Sequence, residues 1–324
     1  MKLYHYTSQK GFEGIVLNQL LRLTQSTQSN DITDTIHIHN LINENKEYFY
    51  INQDIKENKV IEMILDIFNK FEEERFVEGE KEKSEKAFVI SFTTKADNRL
   101  LWTSYSNDEG YCIGINFEKF EKFITNVNTQ KKIFKDANKF FMTGIIYSSD
   151  NQKSLIKDII QSEYNKFIKL PDKELSENIP TIVLPYQFVF TDEENNIIYE
   201  GKKRVFEIRI KKKFEYMTKS IIDQLLFISP ILKNDYWEDE GETRLIFYRP
   251  VVSKELSEVK LDEKGRNFIN FTIDREIIEE IIIGPMNPKT IDEVKEDMKK
   301  AGYDTDKVRI RYSKGKGVLR VRGK

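Results

Sequence analysis

The spacing of apolar and polar residues divides the chain into helical and extended stretches. Residues 3–6 predict a short first strand, and Thr7 or Ser8 is well placed to cap the helix that follows. The apolar residues of this helix recur at helical spacing: Phe12, Ile15, Val16 and Leu20. Residues 57–76 carry their apolar side chains on one stripe, which predicts an amphipathic helix. We therefore expect a mostly helical insertion from about 35 to 85.

Most of the other apolar stretches are short and bounded by polar residues, which is typical of strands. Strands are predicted at 87–94, 110–117, 139–147, 186–190, 205–210, 242–249, 267–273, 279–285, 308–312 and 318–322. Helices are predicted at 98–106, 151–169, 216–228 and 289–300. The strands outnumber those of a simple βα alternation, so the sequence predicts an α+β fold with mixed, mainly antiparallel sheets. We expect one domain over 1–324, with the insertion at 35–85 and a second helical segment at about 150–235.

Composition narrows the class of protein. A chain of 324 residues with 39% hydrophobic and 33% charged residues can bury a large core beneath a polar surface. The single cysteine, Cys112, excludes an intramolecular disulfide and any site with several cysteine ligands, and its apolar neighbours predict a buried thiol. The N-terminus lacks the apolar core of a signal peptide, and no apolar run approaches the roughly 20 residues that span a bilayer. We expect a cytoplasmic protein without a membrane contact.

Charge is nearly balanced overall but unevenly distributed. The net charge of −2 gives no global field that attracts nucleic acid. Residues 309–324, in contrast, contain no acid and seven cations: Arg309, Arg311, Lys314, Lys316, Arg320, Arg322 and Lys324. A solvated pair of strands is the simpler interpretation, and a contact with nucleic acid or phosphate is the alternative.

Only three histidines are present, and they differ in context. His37 and His39 alternate, which would place both on one face of a strand, but no third ligand lies near them and we expect no metal site. His5 lies between two tyrosines in the first strand, just before the hydroxyl of Thr7. Such a histidine is either a hydrogen-bonded structural residue or part of a site.

An acidic segment precedes the strand at 242–249. If Glu242 opens that strand, Glu240, Glu242 and Arg244 are spaced to project from one side of the chain. Two carboxylates so close raise the pKa of one another unless a cation or a ligand offsets their charge. The segment is therefore either a solvated turn with a local salt bridge or part of a functional site.

Hydroxyl and aromatic side chains lie, in sequence, between His5 and the acidic segment that precedes residue 242. Ser91 to Thr93 end a strand, and Trp102 and Tyr105 share one face of the next helix. Aromatic pairs of this kind belong to a core, or stack on a flat ring such as a base or nicotinamide. The sequence contains no phosphate loop, nucleophile elbow, metalloprotease helix or dinucleotide-binding glycine fingerprint, so it does not favour those classes.

Several of these patterns, in fixed order, resemble a widespread bacterial family of proteins of unknown function. They are LYHYTS at the start, then SFT, LWTSY and GYCIGINF, then Trp237-x-x-Glu240-x-Glu242-x-Arg244, and finally EEIIIGP. The resemblance extends along almost the whole chain and is weakest at 35–85 and 150–235.

The same order is more remotely similar to ADP-ribosyltransferases of the diphtheria-toxin-like and cholera-toxin-like branches. These enzymes use a His or Arg on a first strand, a Ser or Tyr motif on a second, and a Glu, often in Glu-x-Glu, that opens a later strand. The resemblance implies an ADP-ribosyltransferase-like core that takes NAD as substrate. It implies that His5 binds the adenosine-side ribose, that Tyr105 or Trp102 stacks on nicotinamide, and that Glu242 binds the 2′-hydroxyl of the nicotinamide ribose. Ser91 and Tyr105 both remain open as the second-strand residue.

The leading hypothesis is an NAD-dependent ADP-ribosyltransferase or NAD glycohydrolase, in the role of a bacterial toxin or phage-defence effector. Its predicted catalytic residues are Glu242, Glu240, His5 and Tyr105, and its predicted ligand-binding residues are His5, Thr7, Ser91, Trp102, Tyr105 and Arg244. A non-catalytic module that binds a nucleotide or a partner is the main alternative. A metal-dependent nucleic-acid enzyme that uses the basic C-terminal segment is the third.

Overall fold

The computed structural model of the chain describes residues 1–26, 37–50, 60–66, 69, 86–130, 140–169, 189–191, 197–200, 217–249 and 259–318. The chain forms two compact units. The first comprises Met1–Thr35, Glu80–Ser148 and Pro230–Lys324, and the second comprises Ile36–Gly79 and Ser149–Ser229. The second unit therefore draws together the two stretches that the sequence predicts to be helical insertions.

The described strands, in chain order, are β1 (Lys2–Thr7), β2 (Leu20–Gln25), β3 (Lys86–Thr93), β4 (Tyr111–Asn116), β5 (Phe140–Gly144), β6 (Val189–Thr191), β7 (Ile197–Glu200), β8 (Glu242–Arg249), β9 (Lys260–Leu261), β10 (Asn267–Thr272), β11 (Ile278–Ile283) and β12 (Arg309–Tyr312). The described helices are α1 (Gln9–Phe12), α2 (His37–Glu44), α3 (Lys46–Phe49), α4 (60–66), α5 (Arg99–Ser106), α6 (Phe117–Gln130), α7 (Ser149–Lys169), α8 (217–228) and α9 (Ile291–Lys300). A π-helical turn, Glu13–Leu17, continues α1, and 3₁₀ turns lie at Ser229–Ile231, Asp235–Glu240 and Arg275–Ile277.

The large sheet belongs to the first unit. Its strands follow the order β12-β11-β4-β1-β3-β2-β10-β9, while β8 pairs with β3 and β5 pairs with β8. Only β11 and β12 run parallel among the described pairs of this sheet, and the others are antiparallel. The predicted α+β class, with a mixed and mainly antiparallel sheet, is confirmed.

One edge of β3 is shared by two strands. β1 meets it only at Tyr4–Thr93, and β2 meets it only at Thr24–Val89 and Gln25–Phe88, while β8 pairs along the whole opposite edge. Among the described residues, Ser91 therefore has no ladder partner on the edge that faces β1 and β2. This opening in the sheet is where the candidate site lies.

The core of the first unit follows the alternation of the strands. Leu245 and Phe247 of β8 join the main apolar cluster, with Phe92 of β3 and Phe120 of α6. Glu242, Arg244 and Ile246 project from the other face of β8, because side chains alternate along a strand. The polar residues of β8 are thereby separated from the main core.

Two glycines bring neighbouring segments close to the end of β1. A Cβ atom on Gly11 of α1 would lie 1.8 Å from the hydroxyl oxygen of Thr7, and one on Gly110 would lie 2.0 Å from the carbonyl oxygen of Thr7. Both distances are far below van der Waals contact. The absence of a side chain at these positions allows α1 and β4 to pack directly against Thr7.

Most predicted elements are confirmed, but two expectations are wrong. Leu20 opens β2 instead of extending the first helix, because the helix ends in the π-helical turn and Gln19 takes a positive φ of 54°. His37 and His39 lie on α2 and not on a strand, since Ile38, Leu41 and Ile42 are buried at helical spacing.

Other predictions are only partly covered by the structure. The helix α6 is absent from the sequence-based expectations, although its buried Phe120 and Ile124 lie one turn apart. The predicted strand at 205–210, all but the first residue of the predicted strand at 318–322, and most of the predicted helix at 57–76 lie outside the described residues.

Candidate functional site

Glu242 is the first residue of β8, as the sequence predicts, and on β3 it lies opposite Thr93, while Ser91 lies opposite Arg244. The Ser91 hydroxyl donates a hydrogen bond to Oε1 of Glu242. Two positions further along β3, the hydroxyl of Thr93 donates to the carbonyl of Glu240 at 2.7 Å. β3 thus fixes both the side chain of Glu242 and the backbone that leads into it.

Arg244 holds the Glu242 carboxylate in a two-point contact. Its Nε lies 2.6 Å from Oε1, and its Nη2 lies 3.1 Å from Oε2. The remaining terminal nitrogen, Nη1, donates to the carbonyl of Pro230 at 2.8 Å. Both side chains are buried, and a guanidinium held on two sides gives the carboxylate little freedom to turn.

Lys233 joins the two glutamates. Its Nζ lies 2.7 Å from Oε2 of Glu240 and 3.1 Å from Oε2 of Glu242. Lys233 is only 4% exposed, so this ammonium and the two carboxylates form a buried cluster. The sequence does not single out Lys233 as a site residue. Its one local signal is that it follows the apolar residues 231–232 and precedes the acidic segment.

A tight turn positions Glu240 beside Lys233. It ends the 3₁₀ turn Asp235–Glu240, and Gly241 follows with a φ of 54°, a left-handed conformation that glycine adopts without steric cost. The hydroxyl of Tyr105 donates to Oε1 of Glu240. The expected proximity of Glu240 and Glu242 is therefore present, and it depends on Lys233 and Gly241 as well as on strand alternation.

The cluster sets the charge of its members. Burial alone would raise the pKa of the Glu242 carboxyl, but the charge and hydrogen bonds of Arg244, with Lys233 and Ser91, outweigh it and lower the pKa to about 2. Burial alone would lower the pKa of Lys233, but the two glutamates raise it. Glu242 is therefore an anion and Lys233 a cation at neutral pH. Burial and the neighbouring Glu240 raise the pKa of Tyr105, which keeps its phenol protonated as a donor.

His5 lies next to this cluster. Its Nδ1 is 2.8 Å from the carbonyl oxygen of Ser91, in the opening of the sheet. A carbonyl only accepts hydrogen bonds, so this contact assigns the proton to Nδ1 and leaves Nε2 as an acceptor. Burial lowers the pKa of His5, and the Ser91 carbonyl acts in the opposite direction. Ser91 therefore links His5, through its carbonyl, to Glu242, through its hydroxyl.

The cluster opens into a cavity of about 920 Å³ within the first unit. This volume lies at the upper end of the range for small-molecule sites. The cavity is lined by residues that the sequence analysis predicts to be catalytic or ligand-binding: His5, Thr7, Ser91, Tyr105, Glu242 and Arg244. Lys233 and Trp237 also line it, and the Lys233 ammonium lies 5.0 Å from the centre of the Trp237 ring.

Trp102 is not part of this cavity. It is 1% exposed, its ring packs edge-on against Tyr6 at 4.9 Å, and its Nε1 donates to Asp97 at 2.8 Å. No face of the indole is accessible for stacking on a bound ring. We therefore remove Trp102 from the candidate site, whereas Tyr105, on the same helix, is 36% exposed and remains in it.

The other candidates from the sequence lie elsewhere. Arg311 forms ion pairs with Glu280 at 2.9 Å and with Asp97 at 3.2 Å, so its charge is largely offset. Arg320 and Arg322 lie outside the described residues, and a nucleic-acid contact of the C-terminal segment remains a prediction. Cys112 is buried as predicted, and burial raises the pKa of its thiol to about 12.

Two features are absent from the described part of the chain. No helix there has the length and apolar character needed to cross a bilayer. No three His, Cys, Asp or Glu side chains in those residues are grouped so that they could hold a metal ion.

Comparison with known proteins gives one partial match. The model of a family described as a protein of unknown function, DUF2971, matches residues 101–245. The match covers less than half of the chain, beginning in α5 and ending in β8, and it includes Tyr105, Lys233, Glu240, Glu242 and Arg244. No curated protein matches the chain. No solved structure matches it either.

The low pKa of Glu242 predicts a loss of stability in acid. Because the folded-state pKa, about 2, lies below the ordinary value of 4.5, the stabilisation is complete above the ordinary value and disappears as the pH falls through about 2. We expect a contribution on the order of 3 kcal/mol to the free energy of unfolding. Urea unfolding between pH 7 and pH 2 should show a steeper decline for the wild type than for Glu242→Gln. Equal declines would contradict this.

Proposed function

We propose that the chain cleaves the bond between nicotinamide and ribose in NAD, as an ADP-ribosyltransferase or an NAD glycohydrolase. The supporting observation is that His5 and Glu242, which lie far apart in sequence, line one cavity and are linked through Ser91. A ligand that contacts one of them is within reach of the other. This is the arrangement that the remote resemblance to ADP-ribosyltransferases requires.

The charge of the cluster suits this chemistry. When the C1′–N bond breaks, its electron pair leaves with nicotinamide and positive charge develops on the ribose, as in glycoside hydrolysis. A fixed anion beside the sugar stabilises that state more than the ground state, and this difference accelerates the reaction. Glu242 is ionised, buried and oriented by Arg244, so it is prepared for this role.

Binding of a ribose hydroxyl requires that Glu242 give up one of its present donors. Its two oxygens already accept from Arg244, Lys233 and Ser91. Ser91 is the exposed member of this set, whereas Arg244 and Lys233 are buried. In the proposed complex the hydroxyl of Ser91 turns away and the 2′-hydroxyl of the ribose takes its place on Oε1.

Two further residues complete the proposed mechanism. The exposed ring of Tyr105, fixed through its hydroxyl by Glu240, stacks on nicotinamide. Glu240 then orients or deprotonates the group that attacks C1′, which is water in a glycohydrolase and an acceptor hydroxyl in a transferase. In a cell, consumption of NAD or transfer of its ADP-ribose is the basis for the proposed role as a toxin or phage-defence effector.

Direct measurement of nicotinamide separates this proposal from its main rival. The purified chain is incubated with NAD, and released nicotinamide is quantified by chromatography while binding is followed by calorimetry. The proposal predicts nicotinamide release in step with enzyme concentration. Binding heat without release identifies a non-catalytic nucleotide-binding module instead. Activity that appears only with a divalent metal and nucleic acid would favour the third class.

A further inference from the structure

The cavity extends from Glu242 to a wall formed by β2 and β10. These strands pair antiparallel, with Arg22 opposite Asn270 and Thr24 opposite Phe268. The intervening residues, Leu21, Leu23, Ile269 and Phe271, are buried in the core. Strand alternation therefore places one guanidinium, one hydroxyl, one amide and one aromatic ring side by side on the cavity surface. Neither the resemblance nor the proposed cleavage step assigns a role to this wall.

Arg22 is held in a defined orientation but retains donors. Its guanidinium carbon lies 3.9 Å from the centre of the Phe268 ring, and its Nη2 lies 2.5 Å from a carboxylate oxygen of Asp262. The other N–H groups of this guanidinium have no partner among the described residues. A planar guanidinium fixed by stacking loses little freedom when it binds a second anion, so its remaining donors are preorganised.

The Asp262 carboxylate does not neutralise Arg22 alone, because it also accepts hydrogen bonds from other groups. It accepts from Nε of Arg266 at 2.9 Å, from the backbone N–H of Arg266 at 2.8 Å and from that of Lys264 at 2.9 Å. Its carboxylate thus serves to close the turn between β9 and β10 and to anchor Arg22. Removal of Arg22 leaves most of these contacts in place.

The charge at this end of the cavity is positive. Its lining contains four cations, Lys10, Arg22, Lys264 and Arg266, and two anions, Asp262 and Glu263. At the reactive end the two cations Lys233 and Arg244 are balanced by Glu240 and Glu242. A ligand that carries its negative charge away from the reacting sugar therefore fits this polarity.

We propose that Arg22, Thr24 and Asn270 form a phosphate-binding subsite that holds the phosphate groups of the ligand. A guanidinium matches two phosphate oxygens in a planar fork, and the hydroxyl and amide supply further donors on the same surface. The subsite rests on the proposed function only for the identity of the group at Glu242. The phosphates belong either to a dinucleotide such as NAD or to a nucleic-acid acceptor, and these two sources share the same chemistry.

The test is the effect of Arg22→Gln on binding of two probes. ADP-ribose, the NAD fragment that keeps both phosphates, and a short single-stranded oligonucleotide are titrated by calorimetry into wild-type and variant protein. We expect Arg22→Gln to raise the Kd of at least one probe by about tenfold or more, since it removes a charge-assisted hydrogen bond. Thr24→Val, which removes one hydroxyl, should give a smaller increase for the same probe. Lys300→Gln is the matched control, because it removes one positive charge from an exposed residue of α9 outside the cavity.

The outcomes separate the two sources and the two proposals. Weaker ADP-ribose binding assigns the phosphates to the dinucleotide, and weaker oligonucleotide binding alone assigns them to an acceptor. The subsite is overturned if the wild type binds neither probe, or if a folded Arg22→Gln protein binds both as the wild type does. Arg22-dependent ADP-ribose binding without nicotinamide release refutes the cleavage reaction and retains the subsite. Nicotinamide release together with ADP-ribose binding that does not depend on Arg22 refutes the subsite and retains the cleavage reaction.

Discussion

Replacement of Glu242 by glutamine is expected to slow nicotinamide release from NAD by about a hundredfold or more. Glutamine preserves the shape of the side chain but removes the negative charge that would face the developing positive charge on the ribose. It also leaves Glu240 as the one anion that offsets the two cations Arg244 and Lys233, and the resulting net positive charge beside that sugar opposes the transition state further. The measurement is the initial rate of nicotinamide release at saturating NAD.

A matched control lies on the adjacent turn. Glu238 is exposed, belongs to the same acidic segment and does not line the cavity, so Glu238→Gln should retain a rate within about twofold of the wild type. ADP-ribose binding is measured in both variants, because a loss of affinity alone would lower the rate at limiting NAD. A folded Glu242→Gln protein that cleaves NAD at the wild-type rate would contradict the proposed mechanism.

Replacement of Lys233 by methionine is expected to destabilise the fold by about 3–5 kcal/mol. Methionine fills a similar volume but leaves Glu240 and Glu242 buried close together without the ammonium that lies between them. The desolvation of two carboxylates is then opposed only by Arg244 and by hydrogen bonds. The measurement is the free energy of unfolding from urea titration at pH 7.

Two further variants isolate the cause of that loss. Lys300→Met removes a surface pair with Glu296, whose side chains are both more than half exposed, and should cost about 0.5 kcal/mol or less. Glu240→Gln introduced into the Lys233→Met protein should restore part of the stability, because it removes one of the two stranded charges. If Lys233→Met costs no more than Lys300→Met, the buried cluster is not a stabilising unit.

The local parts of this site are predictable from sequence. The strand signal at 242–249 places Glu242 at the start of β8, and the two-residue period places Arg244 on the same side, where the structure finds it. Both inferences depend only on neighbouring residues. The turn that brings Glu240 close is also suggested locally, by Gly241 between two acids.

The long-range parts are not predictable in this way. Ser91 and Glu242 are 151 positions apart, and His5 and Ser91 are 86 apart, so their contacts depend on the register of β3 with β8 and on the opening between β1 and β3. Helical spacing predicts that Trp102 and Tyr105 share one face, but it does not show that Asp97 and Tyr6 bind the indole inside the core. The β2–β10 wall was missed because the sequence predicts Leu20 as the end of a helix.

The attachment of β2 to β3 by only two register pairs has a practical consequence for protein engineering. The Glu242 carboxylate stands on β8, which pairs with β3, whereas Arg22, Thr24, Phe268 and Asn270 stand on a strand pair at the other side of that narrow junction. A combinatorial library at these four wall positions would sample new ligand preferences while the residues around Glu242 keep their geometry. If the proposed cleavage holds, ligand choice and bond cleavage are separable traits in this fold, open to selection one at a time.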